Sequence, residues 1–168
     1  MRKVLIIDTS ILCVWLQVPG KETCGSDKNQ WNKERLEPIL ADEEKKKTIF
    51  VLPLATIVET GNHIAQAKSK RYEIAQKLAE IITAAVDEKT PWAAFTEQSP
   101  LWDVEQLKQL ATEWPSLAAQ NISLGDATIK KVAEHYAKMS VKVEIITGDE
   151  GLKAYEPTTP PKRRRSQS

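Results

Sequence analysis

The 168-residue chain is 41% hydrophobic and 28% charged, ordinary values for one globular domain with a sizeable core. Its net charge of +1 hides an asymmetry: the tail PTTPPKRRRSQS carries Lys162, Arg163, Arg164 and Arg165 and no acids, and without them 20 basic residues face 23 acidic ones. The body therefore has no global basic field for nucleic acid, no apolar run is long enough to span a membrane, and two cysteines make no disulfide framework. A cytoplasmic protein is expected.

Val4 to Ile7 form a short apolar run, as in a strand buried on both faces. Asp8-Thr9-Ser10 then offer capping side chains to a helix over ILCVWL. Residues 18–47 differ in character: an exposed loop GKETCGSDKNQ, then a polar helix interrupted or restarted at Pro38, ending in a solvated DEEKKK run. Ile49 to Leu52 predict a second buried strand, stopped by Pro53, and a helix follows from about Leu54 to Ala67. Ser69 to Glu88 give a third helix, with Ile74, Leu78, Ile81, Ile82 and Ala85 at helical spacing. After Pro91, Trp92 to Thr96 suit a short strand. Pro100 opens and Pro115 closes a helix whose stripe is Val104, Leu107, Leu110, Ala111 and Trp114. A helix from Asp126 places Ile129, Val132, Ala133, Tyr136 and Ala137 on one face, and Val143 to Ile146 predict the last strand. Strands alternating with helices predict an α/β domain over residues 1–156, with a central parallel sheet and crossover helices. The remainder, 157–168, reads as a disordered basic tail.

Four acids punctuate this pattern: Asp8, Glu59, Asp126 and Asp149. Asp8 and Asp149 each follow a strand, Glu59 lies two turns into the helix after the second strand, and Asp126 opens the helix before the last. In open parallel sheets, ligands bind beyond the carboxyl ends of the strands. Four carboxylates meeting there repel one another unless a cation sits between them, and Mg²⁺ or Mn²⁺ suits such oxygen donors. Singly, each acid has a plainer explanation. Asp126 and Asp149 suit helix N-caps, and Glu59 suits a solvated helix face.

In their order, the motifs IIDTSIL, LATIVETGN, LGDATI and IITGDEGL resemble those of PIN-domain ribonucleases, among them the toxin nucleases of bacterial toxin–antitoxin pairs. The resemblance spans roughly residues 3 to 155. It implies a Rossmann-like sheet and a metal-dependent endoribonuclease, with Asp8, Glu59, Asp126 and Asp149 holding Mg²⁺ or Mn²⁺ and carrying catalysis through a metal-activated water. It further implies Thr147 as a supporting hydroxyl, RNA as substrate, and an antitoxin or a second copy as partner. Ser10 stands where many relatives have Asn, and residues 18–47 are longer than in compact toxins, suiting a clamp, an RNA-contacting arm or a partner surface.

Other residues are candidates on their own chemistry. Asn62 suits substrate binding, as do the cations Arg71 and Lys130, although solvated helix faces are the plainer explanation of such cations. His63 shares a helix face with Glu59. Trp31, flanked by polar residues, suits base stacking. Cys13, Cys24, His63 and His135 lack the spacing of a zinc site. Two rival functions remain open: a phosphatase using Asp8 as nucleophile, disfavoured by Ser10 where a second Asp would stand, and an inactive PIN-like module that binds RNA or protein.

Overall fold

The structure is a computed structural model that describes residues 2–158. The KRRR cluster and most of the expected tail lie outside the described residues.

Three parallel strands make the sheet: β1 (Lys3–Ile7), β2 (Ile49–Val51) and β3 (Lys142–Ile146), in the order β2-β1-β3. Strand β1 is central, with Val4 opposite Ile49 on one side and Val143 on the other. Its four apolar residues face alternately, as the period of a strand demands. Leu5 and Ile7 join one buried cluster, and Val4 and Ile6 join a second across the sheet. This is why the segment reads as a continuous apolar run: both faces are covered.

Helices supply the cover. On the Leu5–Ile7 face lie α1 (Thr9–Leu16), α2 (Lys33–Lys45), α3 (Leu54–Ala65) and α4 (Arg71–Val86), contributing Ile11, Leu12, Leu36, Leu40, Ile64, Ile74 and Leu78 to one core. On the other face, α6 (Leu124–Ala137) packs Ile129, Val132, Ala133 and Tyr136 against Val143 and Ile145. Helix α5 (Val104–Ala118) lies beside α6, and α7 (Glu150–Lys153) follows β3. The arrangement is α/β and compatible with a Rossmann-like fold. No helix among the described residues is long and apolar enough to cross a membrane.

Several local expectations are corrected. Helix α2 runs through Pro38, because Leu36 and Leu40, buried on either side of it, anchor both turns to the core. Helix α5 is capped by Asp103, whose side chain accepts from the Gln106 N–H, and continues past Pro115. Its expected stripe is only partly covered: Leu110 is buried, while Val104 and Leu107 are exposed. Trp92–Thr96 is not a strand. Trp92 makes one parallel bridge to Phe50, and Phe95–Trp102 winds as a 3-10 helix. Within the DEEKKK run, Glu43 is buried and receives Lys3 Nζ at 2.6 Å and the Thr48 hydroxyl.

Residues 18–47 fold against the body. Val18, Trp31, Leu36 and Leu40 belong to the first core cluster. Cys24 and Trp31 exchange backbone hydrogen bonds of 3.1 and 2.8 Å, which close the loop into a ring. Trp31 is only 8% exposed, with the Arg35 guanidinium 3.6 Å over its ring. It is a core anchor with a cation–π cover, and its stacking face is taken.

Candidate functional site

The four acids line one cleft of about 320 Å³ at the carboxyl ends of β1 and β3. Each arrives by a different local device. Asp8 is the residue where β1 becomes α1. Its N–H still bonds Ile146 O across the sheet at 3.2 Å, and its side chain makes no capping hydrogen bond. Glu59 sits on the second turn of α3, whose Thr56 hydroxyl donates to Ile7 O at 2.8 Å and ties that helix to the end of β1. Asp126 lies in the first turn of α6. The cap there is Ser123, which accepts from the Asp126 N–H at 3.0 Å, so Asp126 itself is not the cap. Asp149 does cap a helix, accepting from the Gly151 and Leu152 N–H groups at 2.8 and 3.3 Å.

Hydroxyl groups hold these carboxylates in place. Asp8 is 5% exposed, and its Oδ2 accepts from Ser10 Oγ at 2.8 Å and from Thr147 Oγ1 at 2.7 Å. Ser10 Oγ in turn accepts from Gly148 N–H, and Thr147 Oγ1 accepts from Asp149 N–H. The last strand's turn is thus fastened to the first strand's turn through one carboxylate oxygen. Thr9 Oγ1 donates to Glu59 Oε2 at 3.0 Å. Asp8, Glu59 and Asp149 each keep a second oxygen with no hydrogen bond among the described residues.

Two glycines permit the approach of the elements. An ideal Cβ on Gly125 would stand 2.1 Å from Glu59 Oε1, so the Glu59 carboxylate keeps its present place only because residue 125 has no side chain. A Cβ on Gly148 would stand 2.6 Å from Cys24 Sγ and 2.9 Å from Gly25 N, so the loop of residues 18–31 rests directly on the turn before Asp149.

The charge is costly here. Burial first, with Asp8, Asp149 and Glu59 adding to it, pushes the Asp126 carboxyl up to about 6. A carboxylate in the first turn of a helix ordinarily gains from the helix dipole. At Asp126, burial and the three neighbouring acids outweigh this gain.

The donor set fits a hard divalent cation in kind, since four carboxylates offer oxygen ligands and negative charge in one cleft. As the side chains stand, however, no three His, Cys, Asp or Glu groups among the described residues are close enough to hold an ion. The second oxygens of Asp8, Glu59 and Asp149 are the ones left for one.

Other expected site residues lie elsewhere. Asn62 is exposed and does not line the cleft; four residues beyond Glu59, His63 does. At about 100° per residue, position 63 returns closer to the Glu59 direction than position 62. Arg71 lines an apolar groove between α3 and α4. Lys130 reaches over the Tyr155 ring at 4.8 Å and toward Glu134. Cys13 and Cys24 line the cleft beside His63, whereas His135 bonds Glu97 O away from it. Burial pushes the Cys13 thiol up to about 11. Lys21 and Thr23, which no motif announces, complete the lining from the loop. Larger concavities exist: the α3–α4 groove is lined mainly by apolar side chains, and the cleft around Trp92 mixes Glu44, Glu88 and Glu97 with the cations Arg2 and Lys47.

No protein-family model, curated protein or solved structure matches the chain.

Proposed function

We propose that the protein is a metal-dependent endoribonuclease of the PIN-domain type, hydrolysing RNA phosphodiester bonds. The observation that carries this reading is that Asp8, Glu59, Asp126 and Asp149 line one cleft beyond the ends of parallel strands, where burial and the neighbouring acids hold the Asp126 carboxyl above its ordinary range. A set of acids that destabilises itself in the bare protein is stabilised by a bound cation, here Mg²⁺ or Mn²⁺. Such an ion, when bound, offers charge neutralisation at a phosphate and a water of lowered pKa.

The chain's own residues divide the work. Asp8, Glu59, Asp126 and Asp149 are the residues that would hold the ion, once their side chains draw together. Ser10 and Thr147 fix the Asp8 carboxylate through one oxygen and leave its other oxygen without a hydrogen bond among the described residues. Thr9 does the same for Glu59. No side chain need attack: the Thr9 and Ser10 hydroxyls donate to carboxylates and are occupied in positioning, and the Cys13 thiol is held protonated. An antitoxin or a second copy as partner, and the cytoplasm as its place, belong to the same proposal.

The test is cleavage of a mixed RNA pool with Mn²⁺, Mg²⁺ or EDTA beside Asp8→Asn. Metal-dependent cleavage lost in the variant supports the reading. Cleavage equal in EDTA, or none with any metal, removes it and leaves a binding module.

A further inference from the structure

We infer that the loop of residues 18–31 is the substrate-gripping wall of this cleft, and that Lys21 is the residue that binds an RNA phosphate there. The inference rests on the nuclease reading above and assigns the cation that reading lacks. The positions favoured by sequence for this task, Arg71 and Lys130, do not line the cleft.

Three observations converge on Lys21. Among the described residues it is the one lysine or arginine in the cleft lining, alongside Asp8, Glu59, Asp126 and Asp149. It is exposed and makes no ion pair among the described residues, whereas Lys3, Lys130, Lys131 and Lys153 all do. Its backbone is held: Lys21 N–H donates to Val18 O at 2.8 Å, and the flanking Gly20 N–H donates to the Glu22 carboxylate at 3.0 Å.

The loop that carries it is docked at both ends. Val18 is buried at its start, the Cys24–Trp31 pair closes it, and Cys24 and Gly25 rest on Gly148 beside Asp149. A cation on a fixed wall facing a group of acids is placed to receive the polyanion that those acids would otherwise repel. Such a point charge grips a phosphate irrespective of the base.

The test is equilibrium binding of a short mixed-sequence single-stranded oligoribonucleotide across a salt series. Ca²⁺ is present as the ion, because it takes the same oxygen donors. Wild type is compared with Lys21→Ala, Lys21→Arg and Lys28→Ala, the last a loop lysine that does not line the cleft. Lys21→Ala is expected to weaken binding about tenfold and to make the salt slope shallower by about one. Lys21→Arg should keep the slope, Lys28→Ala should match wild type, and all should melt alike. Binding and slope unchanged in Lys21→Ala, or an equal loss in Lys28→Ala, would overturn the assignment while leaving the nuclease reading intact. Wild type that neither binds nor cuts RNA would overturn both.

Discussion

Gly125 and Glu59 meet so closely that a single added methyl on the glycine would fall 2.1 Å from the glutamate's Oε1. The contact joins α6 to α3 at the cleft, and it sets the position of one of the four carboxylates. Because the obstructed atom ends a flexible side chain, the fold tolerates the change while the carboxylate does not.

Gly125→Ala is therefore expected to leave stability unchanged or raise it by about 0.5–1 kcal/mol, the usual gain from alanine inside a helix. The melting-temperature gain from Mn²⁺ should nevertheless shrink. Thermal melts with and without the ion separate the two effects.

The bare protein should resent its own charge at Asp126. Its carboxyl titrates near 6 in the fold against 3.8 for the ordinary group. A raised acid favours the fold while protonated, so this contribution is full below about 3.8 and is lost as pH rises through about 6. Asp126→Asn should raise the metal-free melting temperature at pH 7.5, with the gain vanishing near pH 3.5. A gain equal at both pH values would mean that charge is not its source.

Thr147→Val removes one hydroxyl that both donates to Asp8 and accepts from Asp149 N–H. Loss of a group that orients a metal ligand typically costs about 10–100-fold in affinity. Calorimetric Mn²⁺ titration should show a loss of that order, with Thr147→Ser largely restoring it.

Trp31→Ala should cost about 3–5 kcal/mol in urea unfolding, as for a large aromatic removed from a core. A base-stacking residue on the surface would cost far less. The burial of Trp31 beneath Arg35 separates these outcomes.

Much of this architecture was legible in the residues. Val4 to Ile7, Ile49 to Val51 and Val143 to Ile146 are strands because short apolar runs flanked by turn residues have few other uses. The periodic stripes of α4 and α6 are buried largely as their spacing indicates. The site was legible in outline, since an acid at the end of a strand declares its position along the chain. What stayed hidden depends on contacts distant in sequence. Pro38 and Pro115 each remove one helical hydrogen bond, yet both helices continue, the first of them anchored by Leu36 and Leu40 in the core. Trp31 has polar neighbours in sequence and apolar ones in space. Lys21 enters the cleft because Cys24 and Gly25 find Gly148, over a hundred residues away, and no local pattern encodes that.

In the function proposed above, the four carboxylates act as one cation site. Mn²⁺ titration by calorimetry, at neutral pH, of wild type and of Asp8→Asn, Glu59→Gln, Asp126→Asn and Asp149→Asn addresses this. Wild type is expected to bind Mn²⁺, and every single replacement should weaken binding. Absence of binding in wild type, or affinity unaltered when Asp8 or Asp126 is replaced, would contradict a shared site.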